Sequence, residues 1–216
     1  MFKSFFRQIL KSVGWELCRY SKTEIEECSS LRWDIGKLNY KDFQAARAIA
    51  SLGHITIEEA RFLGELVKRI ESRDAIIEIG TLFGFSTLAL AISKSPSQKL
   101  ITVDSYVWNP LGISAEAHML ATTARLSELC MHDSVQLIRQ DKDEFYSAYK
   151  GPAPGLFFCD ADHSYEATMK DLQWAKSVGA KIICGHDYDP VSFPGVALAV
   201  DELGGPKELV GTVFVI

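Results

Sequence analysis

Two short runs concentrate the acid–base chemistry of this chain. Residues 156–163 read LFFCDADH, an apolar stretch ending in Asp160, Asp162 and His163. Residues 181–188 read KIICGHDY, the same pattern ending in His186, Asp187 and Tyr188. Neighbouring strands lie about 4.8 Å apart, so if the two runs are adjacent in a sheet, Asp160 and Asp187 reach one point in space. A divalent cation is one occupant for that point: Mg²⁺ would take the two carboxylates and water, whereas His186 as a further ligand suits Mn²⁺, Fe²⁺ or Zn²⁺. A metal-free alternative stands beside it, because His163 or His186 titrates near neutrality and can take a proton from a hydroxyl nucleophile. The plainer alternative is that an Asp-His pair at a strand end caps the next helix.

Such residues need a scaffold, and residues 76–90, IIEIGTLFGFSTLAL, mark its centre. Ile76, Ile77 and Ile79 form the nearly continuous β-branched run of a strand covered on both faces. Gly80 and Gly84 bracket a sharp turn, and Ser86, Leu88, Ala89 and Ala91 continue into a helix whose first amides favour an anionic group. The GxGxxG spacing of a dinucleotide site is missing, because residue 82 is Leu. A second strand, residues 100–103, ends in Asp104, 20 residues beyond Gly84, where a carboxylate can accept hydrogen bonds from ribose hydroxyls.

The rest of the chain keeps a βα rhythm. Thr56 and Glu59 have capping-box spacing, followed by an apolar stripe of Ile57, Ala60, Leu63, Val67 and Ile70. Helices are expected at 115–130, 143–149, from 164 and at 195–203, with strands at 135–139, 156–159 and 181–184. Gln140 and Asp141 close the third strand. The loop 105–114 suggests a substrate lid, with Tyr106, Trp108, Tyr188 and Phe193 as candidate acceptor-pocket residues. Two apolar runs at 207–210 and 212–216, split by Gly211, suggest a closing antiparallel hairpin. The expected architecture is α/β: a Rossmann-like, doubly wound, mostly parallel seven-stranded sheet with a C-terminal hairpin and an N-terminal helical extension.

Composition narrows the function class. With 216 residues, 47% of them hydrophobic, and a net charge of -5, the chain has material for one core and little basis for phosphate-driven nucleic-acid binding. Cys18, Cys28, Cys130, Cys159 and Cys184 form no CxxC pair, which fits a reducing cytoplasm. Residues 1–20 place Phe2, Phe5, Phe6, Ile9, Leu10 and Val13 at helical spacing with Lys3, Arg7 and Lys11 between them. That amphipathic basic stretch reads either as peripheral membrane contact or as a helix docked on the domain or on a second subunit of a homo-oligomer. Residues 41–50 carry a weaker helical signal.

Taken in order, EIGTLFGFS, ITVDS, FFCDADHSYE, IICGHDY and GVALAVDEL resemble the class I S-adenosylmethionine-dependent methyltransferases, nearest to small-molecule O-methyltransferases of the catechol and macrolide or cephalosporin-pathway type. The resemblance spans Thr56 to Ile216 and implies methyl transfer from S-adenosyl-L-methionine to a hydroxyl of a small molecule or sugar, by a domain at 56–216 preceded by a helical cap at 1–55. It implies that Glu78, Gly80, Thr81, Gly84 and Ser86 hold the methionine end of the cofactor, that Asp104 binds the ribose, and that Gln140 and Asp141 contact the adenine. Asp160 matches a metal-binding aspartate beside the cofactor, and Asp187 a further oxygen ligand. His186 departs from an oxygen ligand, which leaves dependence on Mg²⁺ or Mn²⁺ open. His163 stands where catechol enzymes carry a lysine base, so Asp160, His163 and His186 are the candidate catalytic residues. The alternatives are an NAD-binding oxidoreductase and a noncatalytic S-adenosylmethionine-binding protein.

Overall fold

The computed structural model describes residues 54–110, 112, 114–127 and 135–216. Residues 1–20, the helix expected at 41–50, most of the cap expected at 1–55 and the end of the helix expected at 115–130 lie outside these. The described chain runs α1 (Ile57–Arg69), β1 (Ile76–Ile79), α2 (Phe85–Ser93), β2 (Leu100–Asp104), α3 (Ala115–Arg125), β3 (Val135–Arg139), α4 (Lys142–Ala148), β4 (Leu156–Cys159), α5 (Tyr165–Ser177), β5 (Ile182–Gly185), α6 (Pro194–Glu202), β6 (Glu208–Val210) and β7 (Val213–Val215).

The strands form one seven-stranded sheet in the order β3-β2-β1-β4-β5-β7-β6. β1 pairs in parallel with both β2 and β4, and β4 with β5, while β7 runs antiparallel to β5 and β6. The chain winds outward from β1 to β3, then reverses to β4, so the topological switch point falls between β1 and β4. Ligands bind at that crevice, beyond the carboxyl ends of the strands.

Period-2 alternation along the strands sorts the core into two faces. Ile76, Leu100, Leu156, Phe158, Cys184, Val213 and Val215 pack with Phe62, Leu63, Leu66 and Val67 of α1 and with Ala89 and Leu90 of α2. Ile77, Ile79, Phe157, Cys159, Ile183 and Phe214 pack with Phe145 of α4, Leu172 and Ala175 of α5, and Val196 and Val200 of α6. Cys159 and Cys184 are free thiols buried in these faces, and burial pushes both up from the ordinary thiol value.

The capping box at Thr56 is made: the Glu59 amide donates to Thr56 Oγ1 at 3.2 Å and the Thr56 amide to Glu59 Oε2 at 2.7 Å. Ile57 departs from the expected stripe and is 67% exposed. The buried face of α1 runs through Glu59, Phe62, Leu63, Leu66 and Val67, and Ile57 lies about 200° around the helix from Glu59. Among the described residues no helix is long and apolar enough to cross a membrane.

Candidate active site

The turn after β1 is built against the turn after β4. Gly80 has φ +96°, and a Cβ there would meet the Asp160 carbonyl oxygen at 1.9 Å. The glycine therefore lets two strand ends touch. Beneath it, Glu78 is fully buried and accepts hydrogen bonds from Ser86 Oγ at 2.5 Å and Thr87 Oγ1 at 2.6 Å. Burial outweighs those bonds and raises its carboxyl to about 7. Thr81 Oγ1 lies 2.5 Å from Thr102 Oγ1, and Gly84 is the N-cap of α2.

Leu82, where a dinucleotide site would carry its second glycine, adopts φ +47°. Side chains far along the sequence hold this left-handed residue. Its amide donates to Asp104 Oδ2 at 2.8 Å, and its carbonyl accepts from Thr122 Oγ1 at 2.7 Å and lies 2.9 Å from His118 Nε2. Asp104 Oδ1 accepts from the Tyr106 amide at 2.7 Å, so each of its oxygens fastens one backbone segment. The backbone N–H of Gln140 donates to the Asp104 carbonyl at 3.0 Å, and the Asp141 side chain caps α4, its Oδ1 accepting from the Asp143 backbone N–H at 2.8 Å. Sequence reasoning missed His118 and Thr122; their i, i+4 spacing on α3 was the available signal.

The second half of the site stands on β4 and β5, whose register pairs Cys159 with Gly185. That pairing sets Asp160 level with His186, and Asp187 follows one residue on, so the two carboxylates meet His163 and His186 at the sheet edge. His163 Nε2 lies 3.0 Å from Asp187 Oδ2 and 3.6 Å from Asp160 Oδ1. His186 Nδ1 lies 3.1 Å from Asp187 Oδ1 and 3.7 Å from Asp160 Oδ2. All four carboxylate oxygens thus face imidazole nitrogens.

Asp160 and Asp187 raise His163 to about 9. Burial opposes protonation of His186, but Asp187, Asp160 and Glu59 bring it also to about 9. Asp187 is buried too, yet the two imidazoles hold it well below the usual carboxylate range. Both imidazoles are raised above their ordinary 6.5, so the stability they contribute is complete below that pH and is lost as pH rises through about 9. Asp187 contributes stability present above its ordinary 3.8 and lost as pH falls. Melting temperature across pH is therefore expected to be highest between 3.8 and 6.5, and its alkaline fall should shrink in His163→Gln. An alkaline limb unchanged by that substitution would contradict these charge assignments.

Three donor atoms, one each from Asp160, His163 and Asp187, lie within 4.8 Å of one another. Two carboxylates and an imidazole match Mn²⁺, Fe²⁺ or Zn²⁺ better than Mg²⁺. His186, expected in a metal set with Asp160 and Asp187, has Nδ1 beside both carboxylates and Nε2 3.0 Å from Thr212 Oγ1. Among the aromatic candidates, the Phe193 ring stands edge-on to His163 at 4.6 Å. Tyr106 is fully buried against His118, Trp108 is 66% exposed, and Tyr188 donates to Asp201 at 2.8 Å.

Two clefts open at this edge. One is lined by His54, Ile55, Gly80, Leu82, Ser86 and Asp160, the other by Asp160, His163, Thr168, Asp171 and His186. Asp160 lines both.

The profile of a methyltransferase domain family matches residues 77–188. An O-methyltransferase from Bacillus cereus, solved in complex with SAH, is 20% identical over 94% of this chain and 88% of its own, with a TM-score of 0.56. The O-methyltransferase TomG from Streptomyces achromogenes, involved in tomaymycin synthesis and solved with SAM, is 19% identical over 91% and 94%, with a TM-score of 0.55. CalS11, a TDP-rhamnose 3'-O-methyltransferase of calicheamicin biosynthesis, is 15% identical over 93% and 96%, with a TM-score of 0.58. At these identities the likeness is one of fold. No curated protein sequence matches the chain.

Proposed function

The chain belongs to the methyltransferase domain family, and we propose that it moves the methyl group of S-adenosylmethionine onto a hydroxyl oxygen of a small molecule or sugar, with His163 as general base. The observation that carries this reading is that Asp160 borders both the cleft over the glycine turn and the cleft holding His163. A donor in the first cleft and a base in the second are then neighbours. The hydroxyl acceptor is supported by the likeness to the B. cereus, S. achromogenes and TDP-rhamnose enzymes, all O-methyltransferases.

S-adenosylmethionine supplies a methyl group on a sulfonium that departs as a neutral thioether. The protein has to align the partners and accept one proton. Gly80, Thr81, Gly84 and Ser86, with Glu78 beneath, would hold the methionine end, and the first amides of α2 would favour an anionic group there. Asp104 uses its remaining lone pairs for the ribose hydroxyls, and Gln140 and Asp141 border the adenine. His163 would accept the single proton that the hydroxyl acceptor must lose on taking the methyl group. Its Nε2 faces the carboxylates, so Nδ1 is the nitrogen that takes the proton. Asp160 and Asp187 stabilise the resulting imidazolium, and His186 keeps that carboxylate pair in place. Alignment contributes up to roughly 7 to 11 kcal/mol in favourable cases.

The compact donor set favours a second reading, in which Asp160, His163 and Asp187 hold a divalent cation that polarises the acceptor hydroxyl. His186 would then support the set from outside. In our reading residues 56–216 are the catalytic domain and residues 1–55 contribute to the choice of acceptor, in a cytoplasmic protein whose residues 1–20 touch a membrane surface or a second subunit. Calorimetric titration with S-adenosylhomocysteine, in wild type and in Asp104→Ala, tests the cofactor assignment.

A further inference from the structure

We propose that Glu59, on the helix that precedes the sheet, is a positioning residue of this site: through Thr212 and His186 it fixes the carboxylate pair that holds His163. Glu59 is 2% exposed. Its Oε2 does the local work of the capping box by accepting from the Thr56 amide. Its Oε1 turns away from the helix toward the β6–β7 hairpin. There it accepts from the Thr212 amide at 2.8 Å and from Thr212 Oγ1 at 3.0 Å, and it lies 3.4 Å from His186 Nε2.

The proton bookkeeping sets the direction of the chain. A carboxylate only accepts, so the Thr212 hydroxyl hydrogen is committed to Glu59. The hydroxyl oxygen is left to accept from His186 Nε2, 3.0 Å away. That bond fixes the rotation of the ring and presents Nδ1 to Asp187 Oδ1 and Asp160 Oδ2. The other oxygens of the same two carboxylates face His163. Helix capping does not require this arrangement, because a capping glutamine would serve Thr56 without the cost of a buried charge. The hairpin also makes room for the carboxylate: a Cβ on Gly211 would meet Glu59 Oε1 at 2.4 Å.

Only the task assigned to His163 rests on the methyl-transfer reading. The test is the imidazole ¹H–¹³C signal of His163, identified by its loss in His163→Gln. It is recorded at fixed pH in chelator-treated buffer, free and with S-adenosylhomocysteine, on the full chain. Glu59→Gln should displace the His163 signal by more than its line width. His186→Asn should displace it as well, and Glu59→Gln added to His186→Asn should move it no further. A purely structural Glu59 would lower the melting temperature and leave the His163 signal in place, which would overturn the proposal. So would an equal displacement with and without His186. If Glu59→Gln does not fold, Thr212→Val carries the same test, because it removes only the hydroxyl that joins Glu59 to His186. Failure of S-adenosylhomocysteine to bind wild type would instead refute the methyl-transfer reading, while the His163 signals of the free protein would still decide the role of Glu59.

Discussion

Replacing His163 by alanine is expected to lower the rate of methyl transfer by about 10² to 10⁴-fold, the usual contribution of a positioned general base, while changing affinity for S-adenosylhomocysteine less than threefold or so. The separation follows from the geometry. His163 lines the cleft with His186 and Thr168, and is not among the residues lining the cleft over the glycine turn. Because the flanking carboxylates hold His163 near 9, the wild-type rate should rise with pH toward that value as the base loses its proton. A bound sulfonium would bring the midpoint down. The same assay with and without EDTA separates the two readings of the cluster, since a chelator should leave the rate unchanged where His163 acts alone and abolish it where a cation is held. A noncatalytic cofactor-binding protein would show no turnover for His163→Ala to reduce.

Gly80→Ala should be the most damaging small substitution in the described chain. The added Cβ would stand 1.9 Å from the Asp160 carbonyl oxygen and 2.5 Å from its carbon, both backbone atoms, and φ is +96°. No side chain can swing away to relieve the contact. The turns after β1 and β4 must separate, and with them the seat of the donor and the carboxylate beside the base. A loss of about 3 to 5 kcal/mol is expected, at the upper end for point substitutions and a large share of the roughly 5 to 15 kcal/mol that stabilises a typical domain. Urea unfolding measures it directly. A Gly80→Ala protein of wild-type stability would mean that the two turns do not touch.

The strands and their order of chemistry were legible because buried parallel strands read as unbroken apolar runs, and because the residue just after each run has no choice but to stand at the sheet edge. Asp104, Asp160 and Asp187 were found that way. Leu82 was not. Its left-handed backbone is imposed by Asp104, His118 and Thr122, and a local reading assigns that conformation to glycine. Tyr106 likewise adopts φ +58° and is wholly buried, although its loop composition suggested a lid. Glu59 was legible as a cap, which depends on three neighbouring residues, and illegible as a partner of His186, which depends on a contact across 153 positions to Thr212. Exposure of Ile57 reflects the same limit: the stripe is set by where the sheet lies, not by periodicity alone.

The membership of the family settles methyl transfer against the dinucleotide oxidoreductase, and the missing glycine at residue 82 agrees. The cofactor site is tested most directly by calorimetric titration of the wild-type chain and of Asp104→Ala with S-adenosylhomocysteine. Saturable binding at one site is expected in wild type, with a marked loss of affinity in Asp104→Ala; absence of binding to wild type, or binding untouched by loss of the Asp104 carboxylate, would mean that the turn after β1 is no S-adenosylmethionine site.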